Sequence, residues 1–472
     1  MESEKKDAAV AFAKNVVNLK YEDIPPEAVE VTKTDILDTL GVAIAASTTT
    51  PACREMAELA KEMGGKEEST IIAYGGKVPC YMAAFVNAAL AHSLNYDDLY
   101  DAYAVHPGCV LLPAALAVAE RVGKVSGKEF ITAYTLGLDV MGRLGRAAFP
   151  PILFRDWYVY GWLLAQLFGY FGATAVAGRL LGLDEEKMVS SFGLAYCQTA
   201  GNMEPLYGVG ADKGVYPSYP AKSGILSALM AQRGIAGPRN SLEGVAGLFK
   251  VYFQGEYDSA SLTSDLGKSF EGVNLGFYVF PCDGWNHAYI SITLRMVDEH
   301  KVRPQDVETI TVFVGPKAQR MCEPLEIRRN PQNMTEAQFS LPFTVATTIA
   351  KGKPCIKHFT SDGIRDPEIL RLSNKVTWKS DPECDRQYGT GVSPSKVEIT
   401  LRDGRVVRSE QKGFRYGHPQ NPISKEELVE KFRDCASYSA KPLSKDSVER
   451  VIRTVSNLEE LEDASQIIQL VS

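Results

Sequence analysis

The chain has 472 residues, 45% hydrophobic and 23% charged, with 51 basic against 58 acidic side chains and a formal net charge of −7. That balance, with no block of five like charges anywhere, argues against a nucleic-acid or polybasic membrane surface. No apolar run approaches the ~18 to 20 residues that span a bilayer, and the length exceeds what one core usually supports, so two or three domains are expected.

The N-terminal stretch MESEKKDAAVAFAKNVVNLK opens with charges of both signs and continues as an amphipathic helix. It lacks the basic start and apolar block of a signal peptide, so a cytoplasmic location is expected. Prolines open the next helix in PPEAVEVTKTDILDTLGVAIAAS, and TPACREMAELAKEMGG follows it and closes on glycines. STIIAYGGKVP is the one early strand signal, β-branched residues ending in a Gly-Gly turn. CVLLPAALAVAERVG, SGKEFITAYTLGLDVMGRLGRA, LFGYFGATAVAGRLLGLDEEKM and AKSGILSALMAQRGIAG continue as helices with Ala and Gly on their apolar faces. Small residues let helix axes approach closely, which predicts a compact bundle with nearly buried central helices.

From about residue 266 the periods mix. VETITVFVGP alternates like a strand, EAQFSLPFTVATTIAKG reads as one helix ending at Gly352, and SKVEITLRDGRVVRSEQKG reads as two strands around Asp403-Gly404. After Pro419 helices return in SKEELVEKFRDCAS and SKDSVERVIRTVSNLEEL. The expected fold is mainly α with an α+β second domain: residues 1–265 and 408–472 form an all-helical domain, and 266–407 an α+β lid domain inserted in it.

Nine cysteines run from Cys53 to Cys435 with no C-x-x-C pair, which reads as reduced thiols. None of the six histidines stands at the i, i+4 spacing of a helical metal pair, and no metal site is expected. YGVGAD lacks the preceding strand and full spacing of a dinucleotide loop, and there is no P-loop, so no cofactor is expected.

The polar stretch AHSLNYDDLYDAYAVHPG, residues 91–108, lies between almost pure Ala, Leu and Val segments. A helix running from Met82 through Asp98 would put His92, Asn95 and Tyr96 on one face. Pro107 biases His106 away from the helical region and Gly108 permits a sharp turn, so His106 is expected just before a helix N-terminus, where orphan amides favour an anion such as a substrate carboxylate. The alternative is that Asp97, Asp98 and His106 only cap and tie two helices.

That stretch, with LFGYFGATAVAGRLLGLDEEKM, PAKSGILSALMAQRGIAGP, LEGVAGLF, EAQFSLPFTVATTIAKG, KVEITLRDGRVV and HPQNPISKEELVEKF, resembles the MmgE/PrpD family over nearly the whole chain. The family's activities include 2-methylcitrate dehydration, cis-aconitate decarboxylation and iminodisuccinate epimerisation. The resemblance implies a helical domain built from both chain ends, an α+β lid and a homodimer.

Carried over position by position, the resemblance keeps Asp97, Asp98 and His106 but has Asn95 where an aspartate stands. An amide cannot act as a base, though it still makes hydrogen bonds. After Gly161 and Trp162 comes Leu163 in place of a histidine. Lys213 fills the family's loop-lysine position, with Tyr216 beyond it. In YVFPCDGWNH the pattern keeps Phe280, Pro281 and His287, while Tyr278 replaces a basic residue and Cys282, Asp283 and Trp285 are unusual. A family tyrosine falls near Arg320 or Met321.

These departures make the implied pocket more aromatic and less cationic, with Tyr158, Tyr160, Trp162, Tyr216, Tyr278 and Trp285 as candidate lining. The expected activity is a cofactor-independent lyase, dehydratase or decarboxylase, acting beside the carboxylate of a small acid other than a citrate-like tricarboxylate. His106 is the expected acid or base, Asp98 its orienting carboxylate and Lys213 the anion stabiliser. His287 is carried as a catalytic candidate that, with Asn95, positions substrate; Asp97, Cys282 and Asp283 are further binding candidates. An epimerase or a non-catalytic binding protein remain the alternatives, and a small carboxylate is the only partner expected besides a second copy of the chain.

Overall fold

The computed structural model describes residues 6–152, 161–204, 213–385, 387 and 390–472, with only the backbone described at 150–152 and 213. Two compact units emerge: one from residues up to Leu275 with Lys425–Ser472, the other from Gly276–Ser424. The expected return to the helical domain at 408 falls inside a strand, Val406–Gln411, that pairs along Ser395–Leu401. Breaking there would strip a ladder of its hydrogen bonds, so the second crossing lies beyond it, at 424/425.

The first unit is helical. Its longer helices are α1 (Ala8–Asn18), α2 (Pro26–Thr49), α3 (Pro51–Met63), α4 (Cys80–His92), α5 (Gly108–Val122), α6 (Gly127–Ile152), α7 (Leu164–Leu180), α8 (Glu185–Tyr196) and α9 (Ser218–Gln232). Asp7 caps α1 by accepting from the Ala9 amide, and Pro26 and Pro51 stand in the first turns of α2 and α3, where no amide partner is lost. The Ala/Gly faces do what their size predicts: a Cβ on Gly224 of α9 would sit 2.5 Å from the Cβ of Ala173 in α7, so the two axes cross at van der Waals contact. Every residue of α7 except Arg179 is buried. The strand signal at 69–78 survives as a two-residue antiparallel pair, Ser69–Thr70 with Lys77–Val78, turning on left-handed Gly75 and Gly76.

The C-terminal segment adds α12 (Lys425–Ala436) and α13 (Lys445–Ser456) to this unit. Phe432 and Cys435 of α12 press on Gly41 of α2, which has no side chain to hold them off. No helix among the described residues is long and apolar enough to cross a membrane.

The second unit is α+β. Strands β1 (Val307–Val314), β2 (Val376–Ser380), β3 (Ser395–Leu401) and β4 (Val406–Gln411) form one sheet in the order β2-β1-β3-β4, with β1 and β2 parallel and the other pairs antiparallel. In β3 the alternation is regular, with Val397, Ile399 and Leu401 inside. Helix α10 (Gly284–His300) packs on β3, β4 and α11 (Leu341–Lys351). The single helix expected over 336–352 is broken. A short helix Met334–Gln338 ends, Ser340 caps a new one by accepting from the Phe343 amide at 2.9 Å, and Pro342 occupies its first turn.

Candidate active site

Helix α4 stops at His92, six residues short of the expected end, because Asn95 takes a left-handed backbone (φ 50°) that no continuing helix tolerates. The chain then bends at Asp97, is extended over Asp98–Leu99, and pairs Tyr100 with Val105 before α5 begins at Gly108. This path points the polar side chains inward. Asn95, Asp97, Asp98 and His92 are all buried, and His106 keeps a small exposure.

Asp97 is the hinge of the cluster. Its Oδ2 lies 2.7 Å from Nδ1 of His92 and 3.4 Å from Nδ1 of His106, and the imidazole rings meet edge-on at 4.9 Å between centroids. His92 and Asp97 have fully buried side chains; His106 is 11% exposed, which makes it the member a ligand can reach. Burial alone would push the Asp97 carboxyl up, but the two imidazoles outweigh it and hold the group well below the usual carboxylate range. The cluster thus favours a carboxylate at Asp97, beside two imidazoles that can carry the opposite charge.

The orienting role expected of the Asp98 carboxylate belongs to its backbone. His106 Nδ1 donates to the Asp98 carbonyl oxygen at 2.6 Å, so the neutral ring keeps its basic lone pair on Nε2. The Asp98 carboxylate instead accepts from the Gly108 amide at 3.0 and 3.2 Å, occupying the amide at the start of α5 that was expected to favour a substrate anion. Burial pushes the Asp98 carboxyl well up, and the neighbouring Asp35 and Asp97 add to it.

Asp35, on α2, was not singled out from the sequence. A Cβ on Gly108 would lie within 3 Å of Asp35 Oδ1, Asp98 Oδ1 and Thr39 Oγ1 alike, so two carboxyls converge on one glycine. Tyr134 donates to Asp35 Oδ2 at 2.8 Å, and burial raises the Asp35 carboxyl to about 8. Two buried carboxyls this close do not both ionise at neutral pH.

One turn along α2, Asp38 pairs with Lys431 of α12 at 2.6 Å, both almost wholly buried. Burial pushes the Asp38 carboxyl up to about 6 despite that ammonium. Lys431 also donates to the Tyr96 carbonyl at 2.6 Å and lies 3.9 Å over the Tyr96 ring. Removing one partner of such a pair typically costs about 3 to 5 kcal/mol.

Of the other candidates in this unit, Tyr216 joins the cluster, its ring 4.7 Å from that of His92. Lys213 opens a short helical turn, Lys213–Val215; a side chain on the next residue, Gly214, would strike Ser93 Oγ, so this turn is pressed against the end of α4. Trp162 packs edge-on to Tyr252 at 5.1 Å, and Leu163 is buried beside α7. Tyr158 and Tyr160 lie outside the described residues, as does the Lys213 side chain.

The remaining candidates form a second cluster within the α+β unit. His287 Nε2 lies 3.2 Å from the Cys282 carbonyl, and its ring packs against Tyr278 at 4.5 Å and Phe280 at 5.1 Å. Arg415, fully buried, sits 4.9 Å over the Tyr278 ring and donates to the Phe277 carbonyl at 2.8 Å. Asp283 Oδ1 accepts from the Trp285 amide at 3.0 Å and so caps α10, while Trp285 is buried. Burial pushes the Cys282 thiol well up, against a nucleophilic role.

His92, Asp97 and His106 place three potential donor atoms within 4.8 Å of one another, a grouping that their sequence spacing did not announce. An ion taking all three at Nδ1 and Oδ2 would have to break the His92–Asp97 and His106–Asp98 hydrogen bonds, so the donor set fits proton handling better than metal binding.

Two family models match the chain, the MmgE/PrpD N-terminal domain over residues 10–260 and the MmgE/PrpD C-terminal domain over 280–460. Among curated relatives, cis-aconitate decarboxylase of Homo sapiens is 29% identical over 479 residues, covering 98% of this chain and 94% of the human protein. The cis-aconitate decarboxylase-like protein oryM of Aspergillus oryzae is 25% identical over 97% of this chain and 95% of its own length. Cis-aconitate decarboxylase of Aspergillus terreus is 24% identical, with 96% and 94% covered. With both domains matched in order over most of its length, the chain belongs to the MmgE/PrpD family.

Proposed function

We propose that the protein is a lyase acting on a small carboxylic acid, with proton transfer at the carbon next to a carboxylate and His106 as the proton-transfer group. The observation that carries this reading is the pair of contacts on His106 Nδ1: the Asp98 carbonyl at 2.6 Å fixes the tautomer, and the Asp97 carboxylate at 3.4 Å stabilises the imidazolium. Together they leave Nε2 as a base that can also return its proton, the behaviour expected of general acid–base catalysis. The names of the human and Aspergillus terreus relatives favour the decarboxylase form.

In that form the bond between the substrate carbon and its carboxylate breaks, CO2 leaves, and the electron pair passes to the remaining carbon framework, where a second carboxylate spreads it as an enolate. The imidazolium of His106, stabilised by Asp97, then delivers its Nε2 proton to carbon and is left neutral with its remaining proton on Nδ1. A dehydratase would use the same groups in the other order, removing a proton first and expelling water. Lys213 is the proposed anion stabiliser, and Tyr216 a proposed wall of the site. Asn95 is the proposed positioning group for substrate. No cofactor takes part in this scheme. Leu163, buried and apolar where the family resemblance implies an imidazole, argues for a less charged substrate than a citrate-like tricarboxylate.

The test is proton NMR in deuterated buffer with a panel of di- and tricarboxylic and aryl-substituted acids including cis-aconitate, beside His106→Ala. Product signals or deuterium incorporation next to a carboxylate, abolished in His106→Ala, would support the reading. Turnover that survives His106→Ala would overturn the role of that residue, and folded protein inert across the panel would favour a binding function.

A further inference from the structure

Lys431 lies in the C-terminal stretch HPQNPISKEELVEKF, far along the chain from residues 91–108, yet it reaches the loop that carries the site. Its ammonium meets three groups at once: the Asp38 carboxylate at 2.6 Å, the Tyr96 carbonyl at 2.6 Å and the face of the Tyr96 ring at 3.9 Å. Tyr96 separates Asn95, whose left-handed backbone ends the α4 path, from Asp97, which bridges the two imidazoles. The peptide carbonyl that Lys431 holds therefore belongs to the same peptide unit as the Asp97 amide. A rotation of that peptide would move Asp97 off His92 and carry the Asp98 carbonyl away from His106.

We propose that Lys431 is a positioning residue for the candidate site: by clamping the Tyr96 peptide between α2 and α12, it sets the placement of Asp97 and, through the Asp98 carbonyl, the tautomer of His106. The ammonium is suited to this because it is a compact donor that can satisfy a carboxylate and a carbonyl together, whereas a planar guanidinium spreads its donors over a fork. Asp38 supplies the charge that keeps the ammonium buried, and the Tyr96 ring covers it. The turnover arm of the test rests on the reading of His106 given above; the spectroscopic arm does not.

A structural pair and a positioning residue separate in the double variant Asp38→Leu/Lys431→Met. Replacing both ends of a buried ion pair by apolar groups of similar volume leaves no unpaired charge, so the fold is expected to persist. The Tyr96 carbonyl nonetheless loses its donor. With ring-15N-labelled histidine, long-range nitrogen–proton correlation reads the tautomers of His92 and His106, assigned with His106→Gln. The expected result is a wild-type-like melting temperature with displaced ring-nitrogen signals for His106 and His92. On a substrate from the acid panel, kcat should fall by up to about 100-fold with a smaller change in KM. Ring signals that match wild type in the folded double variant would overturn the proposal, whatever the turnover. If the double variant does not fold, Lys431→Arg carries the same two outcomes, since it keeps the charge but not the point donor. Wild-type protein inert on every acid would defeat the lyase reading alone, and the ring signals would still decide the role of Lys431.

Discussion

The imidazole of His106 is oriented by the main chain of Asp98, whose carbonyl oxygen lies 2.6 Å from Nδ1, while the Asp98 carboxylate turns away to the Gly108 amide. Asp98→Asn should therefore leave both rings unchanged, whereas Asp97→Asn should leave the His106 tautomer in place and alter the ring of His92, whose Nδ1 lies 2.7 Å from the Asp97 carboxylate. Nitrogen chemical shifts of the rings distinguish the two variants. On turnover, Asp97→Asn is expected to cost at least about tenfold, because the negative charge facing the His106 ring is lost.

His106→Ala removes the proposed proton-transfer group itself. The expected fall in kcat is on the order of 10²- to 10⁴-fold, with a stability loss of about 1 to 3 kcal/mol, because the nearly buried ring leaves the Asp98 carbonyl without its imidazole donor. Steady-state kinetics beside a thermal melt checks both halves, and an unaltered kcat sinks the assignment.

Asp35 makes stability depend on pH in an uncommon direction for a carboxyl. Its folded value is about 8 against 3.8 for the free group, so the folded chain binds a proton that the unfolded chain has lost. That contribution is full below about pH 4 and disappears as pH rises towards 8. Asp35→Asn should gain on wild type between pH 5 and pH 8 by more than about 1.4 kcal/mol in urea unfolding. Parallel stability curves at the two pH values would count against a protonated Asp35.

Gly108 has no room for a methyl group. A Cβ there would press on Thr39, Asp98 and Asp35, all buried. Gly108→Ala is expected to cost about 1 to 3 kcal/mol in the same assay, the usual range for overpacking.

Thiol chemistry separates two cysteines. Cys197 is exposed, whereas Cys282 is buried with its thiol pushed well up by that burial. Brief alkylation of native protein followed by peptide mass spectrometry should label Cys197 and spare Cys282. Rapid labelling of Cys282 would reopen a nucleophilic role for it.

The helical elements were legible because their apolar periodicity and end signals are local: Pro26 and Gly64 mark ends that the structure keeps. The hairpin around Gly404 was legible for the same reason, its glycine taking the φ of 86° that the turn requires. What local pattern could not supply was the path after His92, where one left-handed asparagine turns an expected helical face into an inward loop. Asp35 and Asp38 did carry a signal, two carboxylates inside the apolar run TDILDTLGVAIAAS, but their significance depends on residues 60 to 390 positions away. Lys431 looked like any charge on an amphipathic helix, since nothing within its own turn reveals a buried partner.

The seating of α12 on α2 also orders events in time. A chain made from its N-terminus completes Asp38, Tyr96, Asp97 and His106 long before Lys431 exists. Until then the Tyr96 carbonyl lacks the donor that the finished protein provides, and Asp38 lacks its counter-charge. Newly made protein therefore passes through a stage in which most of the helical unit has been synthesised but its polar centre is incomplete, and the synthesis of α12 completes it.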